Sequence, residues 1–347
     1  MASRPLLSED VDHILGHTGP LWRELDGERL FITGGTGFFG KWMLESLINA
    51  NRRLDLDIRA TVLSRDPQAF ERDMPHLAGN PAITWLRGDV RDFKFPAGEF
   101  SHVLHMATAA SAALNDTAPL EMLATIVDGT RHTLEFAEQA HCERLLFTSS
   151  GAVYGPQPEK LERIPEDYRG GPDPTDPRAA YAEGKRMAEM LCTLGPVPCV
   201  IARCFAFIGP HLPLDAHFAA GNFLRDALAG GPIALTGDGR SVRSYLYGAD
   251  LVCWLLHLLI RGTPDHPYNV GSPHATTTLQ LAEAIAMQLS PQPRVSVLAT
   301  SPVPSTRYVP CTNAIHRELA LTQRVDLPAA IRKTLKWHRE IQTPRIP

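Results

Sequence analysis

RLFITGGTGFFGKWMLESLIN, residues 29–49, is the stretch on which the fold turns. Arg29-Leu-Phe-Ile-Thr33 is a short apolar run with strand character, and Lys41 to Asn49 places Trp42, Leu44, Leu47 and Ile48 at helical spacing. Between them lies Gly34-Gly-Thr-Gly-Phe-Phe-Gly40. A strand, a glycine turn and a helix in that order open a βαβ unit. Gly35, Gly37 and Gly40 give G-x-G-x-x-G, whose missing Cβ atoms permit torsions and close approach that other residues block. The helix that follows offers free N–H groups and a positive dipole end to a pyrophosphate. In this context the turn points to a dinucleotide, held by Gly34, Gly35, Thr36, Gly37, Phe38, Phe39 and Gly40. The competing reading is a tight turn with no ligand.

Outward from this stretch the alternation continues. Ile58–Leu63, Ile83–Leu86, Val103–Met106, Arg144–Ser149 and Cys199–Ala202 read as strands, and Leu120–Ala140 and Ala180–Leu194 as helices. Such a pattern predicts an α/β fold, a Rossmann-type doubly wound parallel sheet covered on both faces. From Phe205 onward Pro, Gly and His are frequent and the periodicity is less regular. The expected division is an N-terminal helical arm over 1–28, a dinucleotide-binding domain over 29–204 and a smaller, mixed C-terminal lobe over 205–347, with segments free to cross back. Asp10–Leu25 has helical spacing that Gly19-Pro20 should interrupt; the arm packs on the body or on a partner subunit.

Composition narrows the function classes. The chain has 347 residues, with 34 Lys and Arg against 38 Asp and Glu, for a formal charge of −4. That balance gives no footing for nucleic-acid binding. Hydrophobic residues are 44% and charged residues 21%, values of an ordinary globular chain rather than a disordered one. The longest apolar candidate, Leu251–Ile260, is about half the ~18 residues of a bilayer span, so no membrane segment is expected. Six scattered cysteines without a C-x-x-C pair suggest neither a disulfide framework nor a metal site. Met1–Asp12 is acidic and has no apolar signal core, so a cytoplasmic protein is expected.

Two further clusters carry chemistry. Tyr181-Ala-Glu-Gly-Lys185 puts a phenol and an ammonium one helical turn apart on one face. An ammonium beside a phenol favours the phenolate and lowers its pKa from about 10, which suits proton exchange with a sugar or alcohol oxygen. Thr148-Ser-Ser-Gly-Ala-Val-Tyr-Gly155 follows the fifth strand, where ligands of open parallel sheets bind. Ser150 is the candidate to hold the reacting oxygen, and Ser149 reads as a turn hydroxyl. At the end of the second strand, where an acidic residue would select NAD, stand Ser64 and Arg65; a hydroxyl and a guanidinium suit the 2′-phosphate of NADP. A shift of one residue would bring in Asp66 instead. Asp89 and Val90 are candidates for the adenine edge, with a turn role for Asp89 as the alternative. His105 reads as a core histidine.

The combined pattern resembles the extended short-chain dehydrogenase/reductase family, in its NAD-dependent epimerase/dehydratase branch. The resemblance rests on Thr33–Gly40, Gly88–Val90, Val103–Ala107, Asp128–Thr130, Ser149–Gly155, Tyr181–Lys185 and Arg243–Tyr247, and covers roughly 29–321. It implies a Ser150–Tyr181–Lys185 active site, NAD(P) contacts at Met106, Ala107 and Thr108 and at Tyr181 and Lys185, and a lobe that grips a nucleotide-diphosphate sugar. It also implies a homodimer built on helices of the dinucleotide-binding domain. Arg243 matches a pyrophosphate ligand of the family, a role that a bidentate guanidinium suits; Arg307 is a second phosphate candidate. His217, Asn222 and Phe223 resemble the substrate loop.

The departures are informative. Family dehydratases carry Asp-Glu after the active-site hydroxyl residue, and decarboxylases keep a glutamate there; this chain has Gly151-Ala152, which cannot move protons. Ile126 replaces a family Asn, and Cys311 a family Asp. The resulting expectation is an NAD(P)-dependent epimerase or 4-keto-sugar reductase, NADP favoured. The alternatives are a 4,6-dehydratase or decarboxylase of the same family, a reductase of small aldehydes or ketones, and an NADP-sensing regulator without turnover.

Overall fold

The alternating run of apolar strands and amphipathic helices folds as one layered α/β body. The computed structural model describes residues 4–108, 112–214, 218–298 and 305–342. Its main elements are α1 (Ser8–Glu24), β1 (Arg29–Thr33), α2 (Phe38–Leu54), β2 (Arg59–Ser64), β3 (Ile83–Arg87), β4 (His102–His105), α3 (Pro119–Gln139), β5 (Arg144–Ser150), α4 (Ala180–Leu194), β6 (Cys199–Cys204), α5 (Gly248–Arg261), β7 (Pro267–Val270) and α6 (Leu327–Gln342). The seven strands form one parallel sheet in the order β7-β6-β5-β4-β1-β2-β3. Every strand expected from the sequence is present, displaced by at most two residues at an end, and α4 begins and ends where its spacing predicts.

Period-two alternation sends side chains to both faces. Leu30, Ile32, Leu104, Leu146 and Val200 pack against α2 and α5. Phe31, Val103, Leu145, Phe147 and Ile201 pack against α3 and α4. The chain winds outward through β1, β2 and β3, then returns to place β4 on the other side of β1. The carboxyl ends of β1 and β4 therefore flank the topological switch point, where open α/β sheets bind ligands.

One expectation is revised. α1 is not interrupted at Gly19-Pro20: it runs through Pro20 as a single helix. Burial of Val11, Ile14, Leu21 and Trp22 against α2 and α5 outweighs the ~3 kcal/mol that an interior proline costs. The arm thus belongs to the body of the same chain. Beyond residue 204, α5 covers the sheet and β7 extends it. The remainder of the C-terminal part is irregular, with the helix Ala219–Leu228 and short strand pairs, among them Val242–Arg243 with Thr276–Thr277.

Candidate active site

Physical demands on the glycine turn differ from residue to residue. Gly34 adopts φ +73°, and a Cβ there would sit 2.5 Å from the Met106 carbonyl. A Cβ on Gly40 would lie 2.3 Å from Gly35, and one on Gly35 would lie 2.4 Å from Val62. Gly37 is exposed at the N-cap of α2, and a Cβ on it would meet nothing nearer than the Gly34 carbonyl oxygen at 3.4 Å. The protein's own packing therefore explains three of the glycines, and the fourth leaves an open cradle at a helix N-terminus. Thr36, Phe38 and Phe39 surround it part-buried, with Phe39 edge-on to Phe207.

Across the switch point, the Thr33 hydroxyl accepts from the Ala107 N–H at 3.1 Å and contacts His105 Nδ1 at 2.8 Å. His105 Nε2 meets Thr130, and burial holds its pKa down to about 3, so it is the neutral core histidine expected. Beyond Met106 and Ala107, the Thr108 hydroxyl is buried with no hydrogen-bond partner among the described residues. An orphan hydroxyl and an open glycine cradle on the two sides of one crevice fit a dinucleotide running between them.

At the far end of β2, Ser64 is buried and Arg65 exposed. Asp66 caps the helix Pro67–Asp73 through Ala69 N–H at 3.1 Å. The Asp89 carboxylate is engaged by Arg91, at 2.8 and 2.9 Å, and accepts the Arg91 N–H as a turn residue does. Val90 is buried against Gly129 of α3, whose absent Cβ makes room for it.

The catalytic candidates meet above the carboxyl end of β5. Ser150 accepts the Ala152 N–H at 3.1 Å, its hydroxyl is 3.4 Å from the Tyr308 hydroxyl, and Tyr181 is within its hydrogen-bonding reach. Lys185, only 1% exposed, donates to the Thr148 carbonyl at 2.7 Å and lies over the Phe147 ring. Ser149 is not a turn hydroxyl bonding its own backbone: it donates to Glu189 at 2.5 Å, and Glu189 is held by Arg203 at 2.7 Å.

One electrostatic expectation is corrected. Burial raises the Tyr181 phenol above its ordinary value, with the Ser150 contact pulling the other way, and Lys185 does not appear among the influences on it. The same burial lowers Lys185 to about 8. The lysine is aimed at a backbone carbonyl instead of at the phenol, and removal of both groups from water disfavours both charged forms.

The C-terminal part brings Arg243 over the Tyr308 ring, and the segment bearing Arg307 lies alongside. Tyr308 N–H donates to the Val242 carbonyl at 3.0 Å, and Val242 bridges Arg307, so the segments bearing Arg243 and Arg307 run side by side. Arg243 is anchored by Thr306, at 3.1 Å to its carbonyl and 2.8 Å to its hydroxyl. Arg307 donates to the Glu162 carbonyl at 2.8 Å. Asn222 lies in the first turns of the helix Ala219–Leu228, where its side-chain oxygen accepts from Arg225 at 3.1 Å. Phe223 is not a wall of the crevice; it is 5% exposed within the main core, because its helical neighbours Ala220, Leu224 and Ala227 bury the same stripe. His217 falls outside the described residues. Sequence reading missed Tyr308, which belongs to no motif and reaches Ser150 only through tertiary pairing.

The profile of the NAD dependent epimerase/dehydratase family matches residues 30–271. The chain belongs to this family. It is 32% identical to a UDP-glucuronic acid decarboxylase of Arabidopsis thaliana over 76% of its own length and 59% of that enzyme's, so it spans less than two thirds of this relative. Among solved structures, a Thermus thermophilus UDP-glucose 4-epimerase in complex with NAD superposes with a TM-score of 0.73 at 25% identity, covering 90% of this chain and 99% of the other. A Thermotoga maritima UDP-glucose 4-epimerase with UDP-glucose gives 0.76 at 20% identity, covering 91% and 100%. As a member of the family this chain is an enzyme with a Rossmann-type fold, and no described helix is long and apolar enough to cross a membrane.

Proposed function

We propose that this family member acts on a nucleotide-diphosphate sugar as an NAD(P)-dependent C4 epimerase or 4-keto-sugar reductase. The observation that carries the reading is the convergence of Ser150, Tyr181 and Lys185 at the carboxyl end of β5, with Tyr308 against Ser150 and Arg243 over the Tyr308 ring. When bound, NAD(P) would supply the hydride acceptor or donor. Tyr181 takes the proton from the sugar hydroxyl or returns it. Ser150 holds the same oxygen by hydrogen bonding. Lys185 fixes the carbonyl end of β5 and orients the cofactor ribose. Arg243 and Arg307 offer planar donors to a diphosphate.

The absence of a carboxylate at Gly151-Ala152 favours epimerisation or reduction over water elimination, which needs an added acid–base pair. A second reading has support from the likeness to a UDP-glucuronic acid decarboxylase. A carboxylate borne on the carbon adjacent to a newly formed ketone (a β-keto acid) leaves as CO2, the C–C bond pair passing to the carbonyl as an enolate that is then protonated on carbon, so the bond cleavage requires no protein carboxylate.

The exposed Arg65 beside Ser64, with Asp66 committed to a helix cap, favours NADP. A homodimer is supported by the exposed Leu120 on α3 and Met187, Met190 and Leu194 on α4. Three of these lie three and four residues apart, the spacing of one helix face.

The test is mass spectrometry of ligands released from purified protein, followed by UDP-, dTDP-, GDP- and CDP-sugars assayed by NMR. Retained NAD with C4-inverted product supports epimerisation; NADPH-dependent loss of a keto-sugar supports reduction. Pentose and CO2 from UDP-glucuronate would move the assignment to decarboxylation. Tyr181→Phe should keep cofactor affinity and lose at least ~100-fold in turnover, the ordinary worth of a general acid–base group. Undiminished turnover in that variant would refute the assigned mechanism.

A further inference from the structure

A second phenol stands on the other side of Ser150. The Tyr308 hydroxyl is 3.4 Å from Ser150 Oγ and 3.4 Å from the Cys204 carbonyl oxygen. It occupies space that exists because residue 151 is glycine: a Cβ there would lie 2.7 Å from the Tyr308 hydroxyl and 2.6 Å from the Phe205 ring. The Tyr308 ring rests on Phe205 at 4.5 Å, and its backbone N–H is tied to Val242 at 3.0 Å. The Arg243 guanidinium lies 6.0 Å from the ring centre. The Phe205 contact and the Val242 bond hold the hydroxyl beside Ser150.

Counting donors and acceptors assigns it a task. A serine hydroxyl has one proton and two acceptor positions. The Ala152 N–H fills one of the two. While Tyr181 is protonated, a consistent arrangement runs from Tyr181 to Ser150, from Ser150 to Tyr308, and from Tyr308 to the Cys204 carbonyl. Once Tyr181 has given up its proton, the arrangement can reverse: Tyr308 donates to Ser150, and Ser150 donates to the phenolate. No proton changes owner in this reversal; the Ser150 and Tyr308 hydroxyls turn. With both acceptor positions of Ser150 then filled, its only proton points to the Tyr181 oxygen or to a substrate oxygen held there.

We infer that Tyr308 is a positioning residue, a two-way hydroxyl that sets the direction of the Ser150 hydrogen bond and so supports the ionised form of Tyr181. This deepens the function proposed above, since it rests on Ser150 and Tyr181 handling the reacting oxygen. It also gives Gly151 a reason of its own, because a larger residue there would displace the Tyr308 hydroxyl.

The test needs no turnover. The full chain, labelled at the tyrosine ζ-carbon and saturated with NADP+, is titrated by NMR, with Tyr181 assigned through Tyr181→Phe. Tyr308→Phe keeps the ring on Phe205 and removes only the hydroxyl. The Tyr181 midpoint should rise by about one pH unit, tenfold in its ionisation constant, as loss of support from one hydrogen bond to a charged group implies. Gly151→Ala should move it in the same direction. In a Ser150→Ala background, Tyr308→Phe should add no further shift, which separates action through Ser150 from a general effect. The inference is overturned by an unmoved Tyr181 midpoint, including one that stays beyond the alkaline limit of the fold in both proteins. A shift that persists in full without Ser150, or a loss of melting temperature with no shift, overturns it too. A shift without turnover of any nucleotide sugar leaves this inference standing and sinks the proposed function; turnover without a shift does the reverse.

Discussion

Gly37 and Gly40 sit three residues apart in one turn and answer to different demands. Gly40 packs against the protein itself, since its Cβ would meet Gly35 at 2.3 Å, whereas the space above Gly37 is clear. Gly40→Ala should therefore lower the melting temperature by many degrees or prevent folding, as overpacking costs of about 1–3 kcal/mol or more imply. Gly37→Ala should melt near the wild type and bind cofactor at least ~10-fold more weakly, because the methyl occupies the place of a close backbone–phosphate approach. Calorimetry and fluorescence titration of NADPH read the two effects separately. Equal loss of affinity and stability in both variants would mean that Gly37 is only a turn residue.

At the scale of elements, α1 is pinned by polar contacts as well as by Trp22. Asp10 is fully buried, accepts from the Tyr247 hydroxyl at 2.7 Å and from Lys333 at 2.8 Å, and burial raises its pKa despite the lysine. Asp10→Ala leaves the buried Tyr247 hydroxyl without this partner. A loss of about 2–4 kcal/mol in urea unfolding is expected. A loss under ~0.5 kcal/mol would show that α1 is held by apolar packing alone. Tyr247 lies at the turn into α5, four residues beyond Arg243, so α1 is tied to the segment that follows this arginine. On the opposite side of the sheet, charging the exposed face of α4 with Met187→Lys and Leu194→Lys should convert a dimer to a monomer in sedimentation velocity, with the melting curve of each subunit's core retained. A wild type that sediments as a monomer would remove the dimer from the proposal.

For the molecule as a whole, acid is the vulnerable direction. Burial holds His102 and His338 down to about 4 and His105 to about 3. A histidine whose folded pKa lies below its unfolded value near 6.5 takes up a proton only on unfolding. Its contribution is fully present above about pH 6.5 and is lost as pH falls toward the folded value. Asp10 and Glu45, raised by burial, act with the opposite sign, so a single variant is the clean probe. His102→Asn should gain on the wild type by up to ~1.4 kcal/mol for each pH unit below 6.5 until about pH 4. Urea midpoints at pH 7, 6 and 5 measure this; a constant difference across that range would exclude a neutral buried His102.

Much of the architecture was legible before any coordinates. The α4 boundaries, the six strands through Cys204 and the position of the glycine turn follow from local periodicity, which depends on neighbours along the chain. The reach of α1 through Pro20 was not legible, because the term that overrides the proline comes from α2 and α5. Ser150, Tyr181 and Lys185 could be named from their motifs. The direction of Lys185 toward the Thr148 carbonyl could not, nor could the presence of Tyr308.

The sequence alone determined the order of strands and helices through β6, the parallel sheet and the glycine turn, because period, glycine content and helix ends are written within windows of a few residues. Tertiary structure alone decided the electrostatic state of the site. Burial that raises Tyr181 and lowers Lys185, and a hydroxyl delivered from residue 308 to residue 150, arise from groups remote in the chain that meet only when the core closes.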